Sequence, residues 1–242
     1  MKDTLRWIAF LLLFVPGLVT SPAHAALQEA QCNYYLPLVE GTGIAYEHFD
    51  RRDRLEYRQE IRIVSVASKE GEVHATMETK HFDRRNRLQH EGTFGIICHG
   101  DVLQLDLQSL MDQAMLEAYE GMEMVFEGGE MMIPSELSVG QSLPDATLDI
   151  SVRSSGMQVA EMTMQITDRQ VTARENITVP AGTFEAYRIV YNTHIEMRAM
   201  GIPIRTNTQT VEYHAREVGV VRTEIYDQRE RLQSYQVLSE IF

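Results

Sequence analysis

The chain has 242 residues, with 22 Lys or Arg against 35 Asp or Glu, so its formal net charge at pH 7 is −13. This charge opposes binding to nucleic acids and to anionic lipid head groups, because neutralising phosphates requires clustered basic side chains. The length is sufficient for one domain with a sizeable hydrophobic core. We expect a single domain and no nucleic-acid partner.

The first 25 residues have the layout of a cleaved secretory signal peptide. Two basic residues precede an apolar run, and Ala23-His24-Ala25 supplies small residues where cleavage would occur. Cleavage removes the segment that most resembles a membrane span. We therefore predict a mature β domain of residues 26–242, located in the periplasm and without a transmembrane span.

Both cysteines, Cys32 and Cys98, follow the predicted cleavage site. An even cysteine count in a secreted chain is typical of a disulfide, and this one would close a loop of roughly 65 residues. A lipid-anchored Cys32 is the alternative, but the preceding Glu29-Ala30-Gln31 lacks the small apolar residues that lipidation needs. We predict a Cys32–Cys98 disulfide.

Alternation of apolar or aromatic residues with polar ones is the main secondary-structure signal, and it indicates strands with one dry and one wet face. Short Gly, Asp and Asn turns separate these segments, and little helical periodicity lies between them. We predict a mainly β fold, an antiparallel meander of about ten strands curved into a half-barrel or barrel. The clearest strands are residues 60–67, 73–81, 162–167, 184–197 and 207–213.

An eight-residue pattern occurs three times, at residues 48–55, 81–88 and 225–232. In each copy an aromatic residue is followed by Asp, then by a polar stretch and a Leu. Because an Asp side chain can accept hydrogen bonds from turn amides, each copy predicts a hairpin turn. The arginines of these turns have two interpretations. They could form a clamp that binds phosphate or carboxylate groups, or they could be solvated tip residues that discourage pairing between sheet edges. The clamp would use Arg51, Arg52, Arg84 and Arg85.

Residues 107–119 carry apolar side chains at three- and four-residue spacing, which predicts one amphipathic helix. A Met-rich stretch follows, and Gly128-Gly129 should divide it into two short strands or a loop. Flexible, polarisable thioethers suit a variable apolar ligand, although they also fill cores. We predict a ligand-binding mouth formed by Leu110, Met111, Met115, Met122, Met124, Met131 and Met132.

Motifs for metal binding and catalysis are weak. Closely spaced methionines such as Met122/Met124 and Met162/Met164 could bind Cu(I), but a buried strand face has the same spacing. The histidines lack zinc-site spacing and are interpreted as solvent-facing or hydrogen-bonded strand residues. The chain has no nucleophile elbow, phosphate loop, dinucleotide fingerprint or His-Glu-x-x-His motif. We expect no metal, no cofactor and no enzymatic activity.

The most distinctive string is the Pro-Ala-Gly-Thr-Phe turn at residues 180–184, which leads into an alternating strand. With residues 34–41, 98–101, 134–140 and 219–222, it resembles the TapB-like domain, a secreted bacterial family of unknown function. The resemblance implies an exported half-barrel with one helix at its mouth and implies no reaction. Such hairpins usually carry Gly where this chain has Asp53, Asn86 and Glu230.

These patterns favour a non-enzymatic periplasmic binding protein for an apolar or amphipathic ligand, such as a lipid or a lipoprotein acyl chain. The alternative is an envelope-associated protein-interaction module without a ligand cavity. Inward-facing residues should discriminate between them, because small side chains leave a cavity and bulky ones fill it.

Overall fold

In the part of the chain that the structure describes, thirteen antiparallel strands form one continuous sheet that curls into a nearly closed barrel. The structure is a computed structural model that describes residues 38–111, 119–199 and 202–242. The predicted signal peptide, Cys32 and Met115 lie outside these residues. The strands are β1 (Gly43–Asp50), β2 (Leu55–Lys69), β3 (Glu72–Asp83), β4 (Leu88–His99), β5 (Val102–Asp106), β6 (Glu123–Gly128), β7 (Glu130–Pro134), β8 (Ala146–Ser154), β9 (Met157–Val179), β10 (Gly182–Ala199), β11 (Ile202–Ala215), β12 (Gly219–Asp227) and β13 (Leu232–Ile241).

The sheet consists of two meanders. Strands β1 to β5 pair in sequence order, and so do strands β8 to β13. The first and last strands, β1 and β13, join the meanders along one side through a ladder of seven residue pairs. The barrel is therefore two curved half-sheets that must be joined at two seams.

The second seam is closed by a single segment that pairs with both meanders. Its first part, β6, pairs with β8, and its second part, β7, pairs with β5. Between them, the Gly129 N–H donates to the Thr147 carbonyl at 2.8 Å, and the Leu107 N–H donates to the Gly129 carbonyl at 2.7 Å. The segment thus crosses from one edge of the sheet to the other at Gly128-Gly129.

Glycine is required at this crossing for steric reasons. Gly128 has a φ of +71°, and a Cβ there would lie 2.6 Å from the Thr147 carbonyl oxygen. Gly129 has a φ of +105° and would bring a Cβ to 3.1 Å from the Leu148 side chain. The sequence prediction that these glycines divide the Met-rich stretch is confirmed, because they separate β6 from β7.

Large apolar side chains fill much of the interior. One buried cluster includes Leu107, Leu148 and Val171, and another includes Ile63, Met77 and Ile96. The half-buried Leu103 and Leu105 pack against both clusters, so the two form a continuous core between the meanders. Burial of this apolar surface is the main favourable contribution to folding.

The connections fall at two ends because consecutive strands of each meander alternate in direction. The chain turns at one end after β1, β3, β5, β8, β10 and β12, and we call this the mouth end. It turns at the far end after β2, β4, β7, β9 and β11. The three copies of the repeated pattern all lie at the mouth end.

The three repeated turns have the same geometry. In the first, Oδ1 of Asp50 accepts from the N–H groups of Arg52 at 2.8 Å and Arg54 at 3.0 Å, while Arg54 Nε donates to Oδ2 at 2.7 Å. The fourth residue of each turn is left-handed, with φ of +57° at Asp53, +59° at Asn86 and +57° at Glu230. The predicted hairpins are confirmed, without the glycine that usually occupies this position.

These contacts predict unusually acidic carboxyl groups in the turns. The hydrogen bond from Arg54 lowers the pKa of Asp50 from 3.8 to about 2, and the pKa values of Asp83 and Asp227 fall to about 2 for the same reason. The turns therefore gain stability above pH 3.8, and they lose it as pH falls toward 2. Carboxyl carbon NMR titration should find all three values. Arg54→Gln should raise the pKa of Asp50 and leave that of Asp83 unchanged; an unshifted Asp50 would contradict the assignment.

Three predictions need correction or remain open. Among the described residues the sheet has thirteen strands instead of about ten, because it includes short strands such as β5 and β7, which have only five residues each. Of the predicted helix over residues 107–119, the described part forms a 3-10 helix at Leu107–Leu110, and residues 112–118 lie outside the described residues. Cys98 is fully buried on β4. Because Cys32 is not described, the disulfide stays a prediction.

Candidate functional site

The inner face of the barrel can be followed from strand to strand, because residues opposite each other in a ladder share a face. The core residues Ile63, Met77 and Ile96 define this face on β2, β3 and β4. On the same faces, nearer the mouth end, the side chains change from apolar to polar and aromatic. This lining of the mouth is the candidate functional site.

Four rings form a ladder across β1 to β4 just inside the repeated turns. The His48 ring stacks on Tyr57 with centroids 3.9 Å apart, His81 lies 5.9 Å from Tyr57, and His90 lies 6.0 Å from His81. The Gln59 amide donates to the Thr79 hydroxyl at 3.1 Å and lies 3.4 Å from Nε2 of His81. We call this half-buried surface the polar wall.

The His48 ring of the polar wall is largely enclosed. Burial lowers its pKa to about 4, although a hydrogen bond with Gln59 offsets part of this effect. The ring is therefore neutral at pH 7. Its Nε2 is buried and has no hydrogen-bond partner among the described residues. A buried polar atom without a partner costs free energy, so His48 retains an unused capacity for one hydrogen bond.

The opposite side of the mouth is apolar. In the order of thirteen strands, β9 and β10 lie across the barrel from β2 and β3. The inner-face residues there are half-buried and pack against the core, whereas Ile204 on β11 is 56 % exposed. We call this surface the apolar wall. It consists of Met124, Phe126, Ile195, Met197 and Ile204.

A buried ionic cluster lies deeper in the barrel. The Tyr191 hydroxyl donates to Oε1 of Glu212 at 2.8 Å, and Nε2 of His214 lies 2.8 Å from Oε2. Nη1 of Arg169 donates to the carbonyls of Met132 at 3.0 Å and Pro144 at 2.6 Å. The cluster thus links β9, β10 and β11 to the seam that β7 closes.

The main negative charge of the cluster is the Glu212 carboxylate. Burial alone would raise the pKa of Glu212, but hydrogen bonds from His214 and Tyr191 and the Arg169 charge outweigh it, so the pKa falls below its usual value. Burial lowers the pKa of Arg169, which is only 3 % exposed. Nε of Arg169 has no hydrogen-bond partner among the described residues. Since Glu212 neutralises Arg169 from a distance, we interpret the cluster as structural.

Those of the predicted mouth residues that the structure describes lie on different surfaces. Met131 is 4 % exposed and belongs to the core, and Met132 lies on the opposite face of β7. Met111 and Met124 are half-buried against the core, and Met122 is exposed in the turn before β6. Leu110 ends the 3-10 helix, and Met115 is not described. Among the described members of the predicted set, Met124 lies on the apolar wall.

The residues of the polar wall were not predicted as a site. A signal was present, because His48 and His81 occupy the same position in two copies of the repeated pattern, two residues before the turn Asp. Ile225 has that position in the third copy. Equivalent positions in antiparallel hairpins lie at the same height and on the same face. The repeat could therefore have been used to predict that the two histidines lie close together.

Two clefts lie on the outer face of the sheet, with volumes of about 240 Å³ and 420 Å³. Their linings are mainly polar, and the two clefts share Thr163 and Glu196. None of the predicted mouth residues lines either cleft. Across the described ranges, no group of three His, Cys, Asp or Glu side chains could hold a metal ion. No helix in these ranges is long and apolar enough to cross a membrane.

Two solved structures have a similar fold. The first is a "putative lipoprotein" from Parabacteroides distasonis ATCC 8503, with a TM-score of 0.69 and 21 % identity over 86 % of this chain and 98 % of that chain. The second is a "putative exported protein" with a YmcC-like fold from Bacteroides fragilis NCTC 9343, with a TM-score of 0.66 and 18 % identity over 86 % and 99 % of the two chains. At these identities the similarity shows the fold alone.

No curated protein sequence matches the chain. A family description, DUF3108-like, matches residues 39–238, which include all but the last residues of the barrel. The narrower resemblance to the TapB-like domain stays a prediction. With most of its length matched, the chain belongs to the DUF3108-like family.

Proposed function

We propose that this protein is an exported, non-enzymatic binding protein that holds an amphipathic ligand across the mouth of its barrel. The observation that carries the proposal is the chemical difference between the two sides of the mouth. The polar wall offers imidazole, tyrosine hydroxyl and amide groups, including the neutral His48 ring. The apolar wall offers methionine, isoleucine and phenylalanine. An amphipathic molecule satisfies both sides, whereas a purely apolar ligand would leave the polar wall without partners.

The shallow depth of the mouth limits the orientation of a bound ligand. Below the mouth, the inner face carries buried Ile63, Met77, Ile96 and Leu148, and these bulky residues pack against one another. Since bulky inward-facing side chains fill a barrel and small ones leave a cavity, the lower barrel is filled. A bound acyl chain would therefore lie across the mouth, against Ile204 and Met197, instead of extending along the barrel axis.

Export supports the choice of ligand class. The N-terminal sequence has the features of a signal peptide, and the two similar structures come from proteins described as a "putative lipoprotein" and a "putative exported protein". A periplasmic or envelope location would place the mouth near lipids and lipoproteins, whose molecules combine an apolar chain with a polar head. Lipids and acyl chains of lipoproteins are the ligand class that we propose.

A fluorescent probe tests the proposal. N-phenyl-1-naphthylamine should show a saturable rise in fluorescence with the purified mature protein, and a lysophospholipid should displace it. Ile204→Asp should weaken probe binding by about tenfold or more, because it places a charge on the apolar wall. Ile204 is exposed, so the fold should tolerate the change.

The matched control is Val139→Asp, which adds the same charge at a similarly exposed position at the far end. It should leave probe binding unchanged. Equal losses in the two variants, or no saturable binding by the wild-type protein, would overturn the proposal. The latter result would favour the interaction module without a ligand cavity.

A further inference from the structure

We infer that the mouth end of the barrel docks on an anionic lipid surface. The inference extends the proposed function to the place where a ligand would be collected, and it can fail while ligand binding in solution stands. The net charge of −13 argues against such docking, but net charge says nothing about how the charges are distributed. Their distribution between the two ends of the barrel carries the inference.

Arginines without ion pairs gather on the repeated turns. In each turn the last arginine is held by the turn Asp, as Arg54 is by Asp50. The other arginines are exposed, and none forms an ion pair with the part of the chain that the structure describes. They are Arg51, Arg52, Arg84, Arg85 and Arg229. After the acidic tip residues Asp53 and Glu230 are subtracted, the three tips have a net charge of +3.

Exposed apolar side chains occupy the other turns of the same end. Met157, the first residue of β9, is 70 % exposed, and Ile202, the first residue of β11, is 67 % exposed. Ile204, Met122 and Leu88 are also exposed there. The mouth end thus combines basic tips on the side of the polar wall with apolar tips on the side of the apolar wall.

Within the described residues, the far end lacks this combination. It also exposes apolar residues, including Val39 and Val139. Its turns contain the basic Lys69 and Arg216, but each is followed directly by a glutamate, Glu70 or Glu217. Apolar exposure by itself therefore does not distinguish the two ends, whereas its coincidence with free arginines does.

A lipid surface matches both features. Apolar side chains enter the boundary between head groups and acyl chains, and basic side chains are attracted to anionic head groups and bind their phosphates. Because these tips surround the mouth, docking would place the apolar wall next to the acyl region. An amphipathic molecule could then pass between bilayer and barrel without crossing water.

Vesicle flotation tests the inference with the purified mature protein. Vesicles of phosphatidylcholine with added phosphatidylglycerol should bind it at low salt, and vesicles of phosphatidylcholine alone should bind it weakly. Replacing Arg51, Arg52, Arg84 and Arg85 with Gln should reduce partitioning by on the order of a hundredfold. High salt should have a similar effect, because it screens exposed charges. Met157→Ser with Ile202→Ser should also reduce partitioning.

A matched control removes four other basic residues that lie toward the far end, Lys69, Arg174, Arg188 and Arg216, each replaced by Gln. It changes the net charge equally and should leave partitioning near wild type. Equal losses in the two quadruple variants, binding that ignores phosphatidylglycerol, or no vesicle binding would overturn the inference. The tip variant should still bind N-phenyl-1-naphthylamine in solution, which separates failure of docking from failure of ligand binding.

Discussion

Replacing Gly128 with alanine should lower the free energy of unfolding by about 3 kcal/mol or more, because strain and overpacking add at this site. The new Cβ would lie 2.6 Å from the Thr147 carbonyl oxygen, and Gly128 has a φ of +71° that L-residues rarely adopt. Backbone atoms cannot move aside as a flexible side chain can. The seam would have to separate, and urea unfolding followed by circular dichroism should measure the loss.

Gly156→Ala is the matched control. Gly156 has a φ of +79° but no atom within 4 Å of the position of a Cβ, so this variant carries the conformational penalty without the clash. We expect it to lose about 1 kcal/mol. Equal destabilisation of the two variants would show that the seam adds nothing beyond backbone strain.

Glu212→Gln should be comparably damaging, with an expected loss of about 3 kcal/mol, because removing one member of a buried ionic cluster leaves the other charge uncompensated. Arg169 would remain buried without the carboxylate that offsets its charge. The hydrogen bonds that Glu212 accepts from Tyr191 and His214 would also weaken. Urea unfolding at neutral pH should measure the difference.

The pH dependence distinguishes loss of charge from loss of packing. Because the folded protein lowers the pKa of Glu212, the ionised carboxylate stabilises the fold above the usual glutamate pKa, and this stability is lost as pH falls through the folded value. The unfolding free energies of wild type and Glu212→Gln should therefore converge in acid. A constant difference across the acidic range would contradict the electrostatic explanation.

A double variant provides the control for coupling. Arg169→Met removes the charge that Glu212 offsets, so adding it to Glu212→Gln should cost less than it costs in the wild-type protein. Strictly additive losses would show that the two residues do not stabilise each other.

Much of the fold follows from local sequence. The five segments with the clearest alternation all lie within long strands, β2, β3, β9, β10 and β11. The repeated Asp turns were predicted because a short side chain and its own turn amides decide the geometry. Strand alternation and turn geometry both depend on residues that are close together in the sequence, so both can be predicted from it.

The site was harder to predict because it depends on register and closure. A strand such as β3 has two faces, and only its pairing shows that His81 lies opposite Gln59 on β2 and His90 on β4. The Met-rich stretch reads as one surface in sequence, yet the crossing at Gly128-Gly129 places Met124 and Met131 in different ladders. Neither fact can be derived from the spacing of the residues.

The two seams of the barrel differ in construction. The β1–β13 seam is a single ladder, whereas the other depends on two short ladders joined at a glycine pair. Local opening is easiest where few contacts must break, so the crossing segment should open before either meander does. Release of this segment would enlarge the opening of the barrel while leaving both meanders intact. The same protein could then admit molecules of different cross-section.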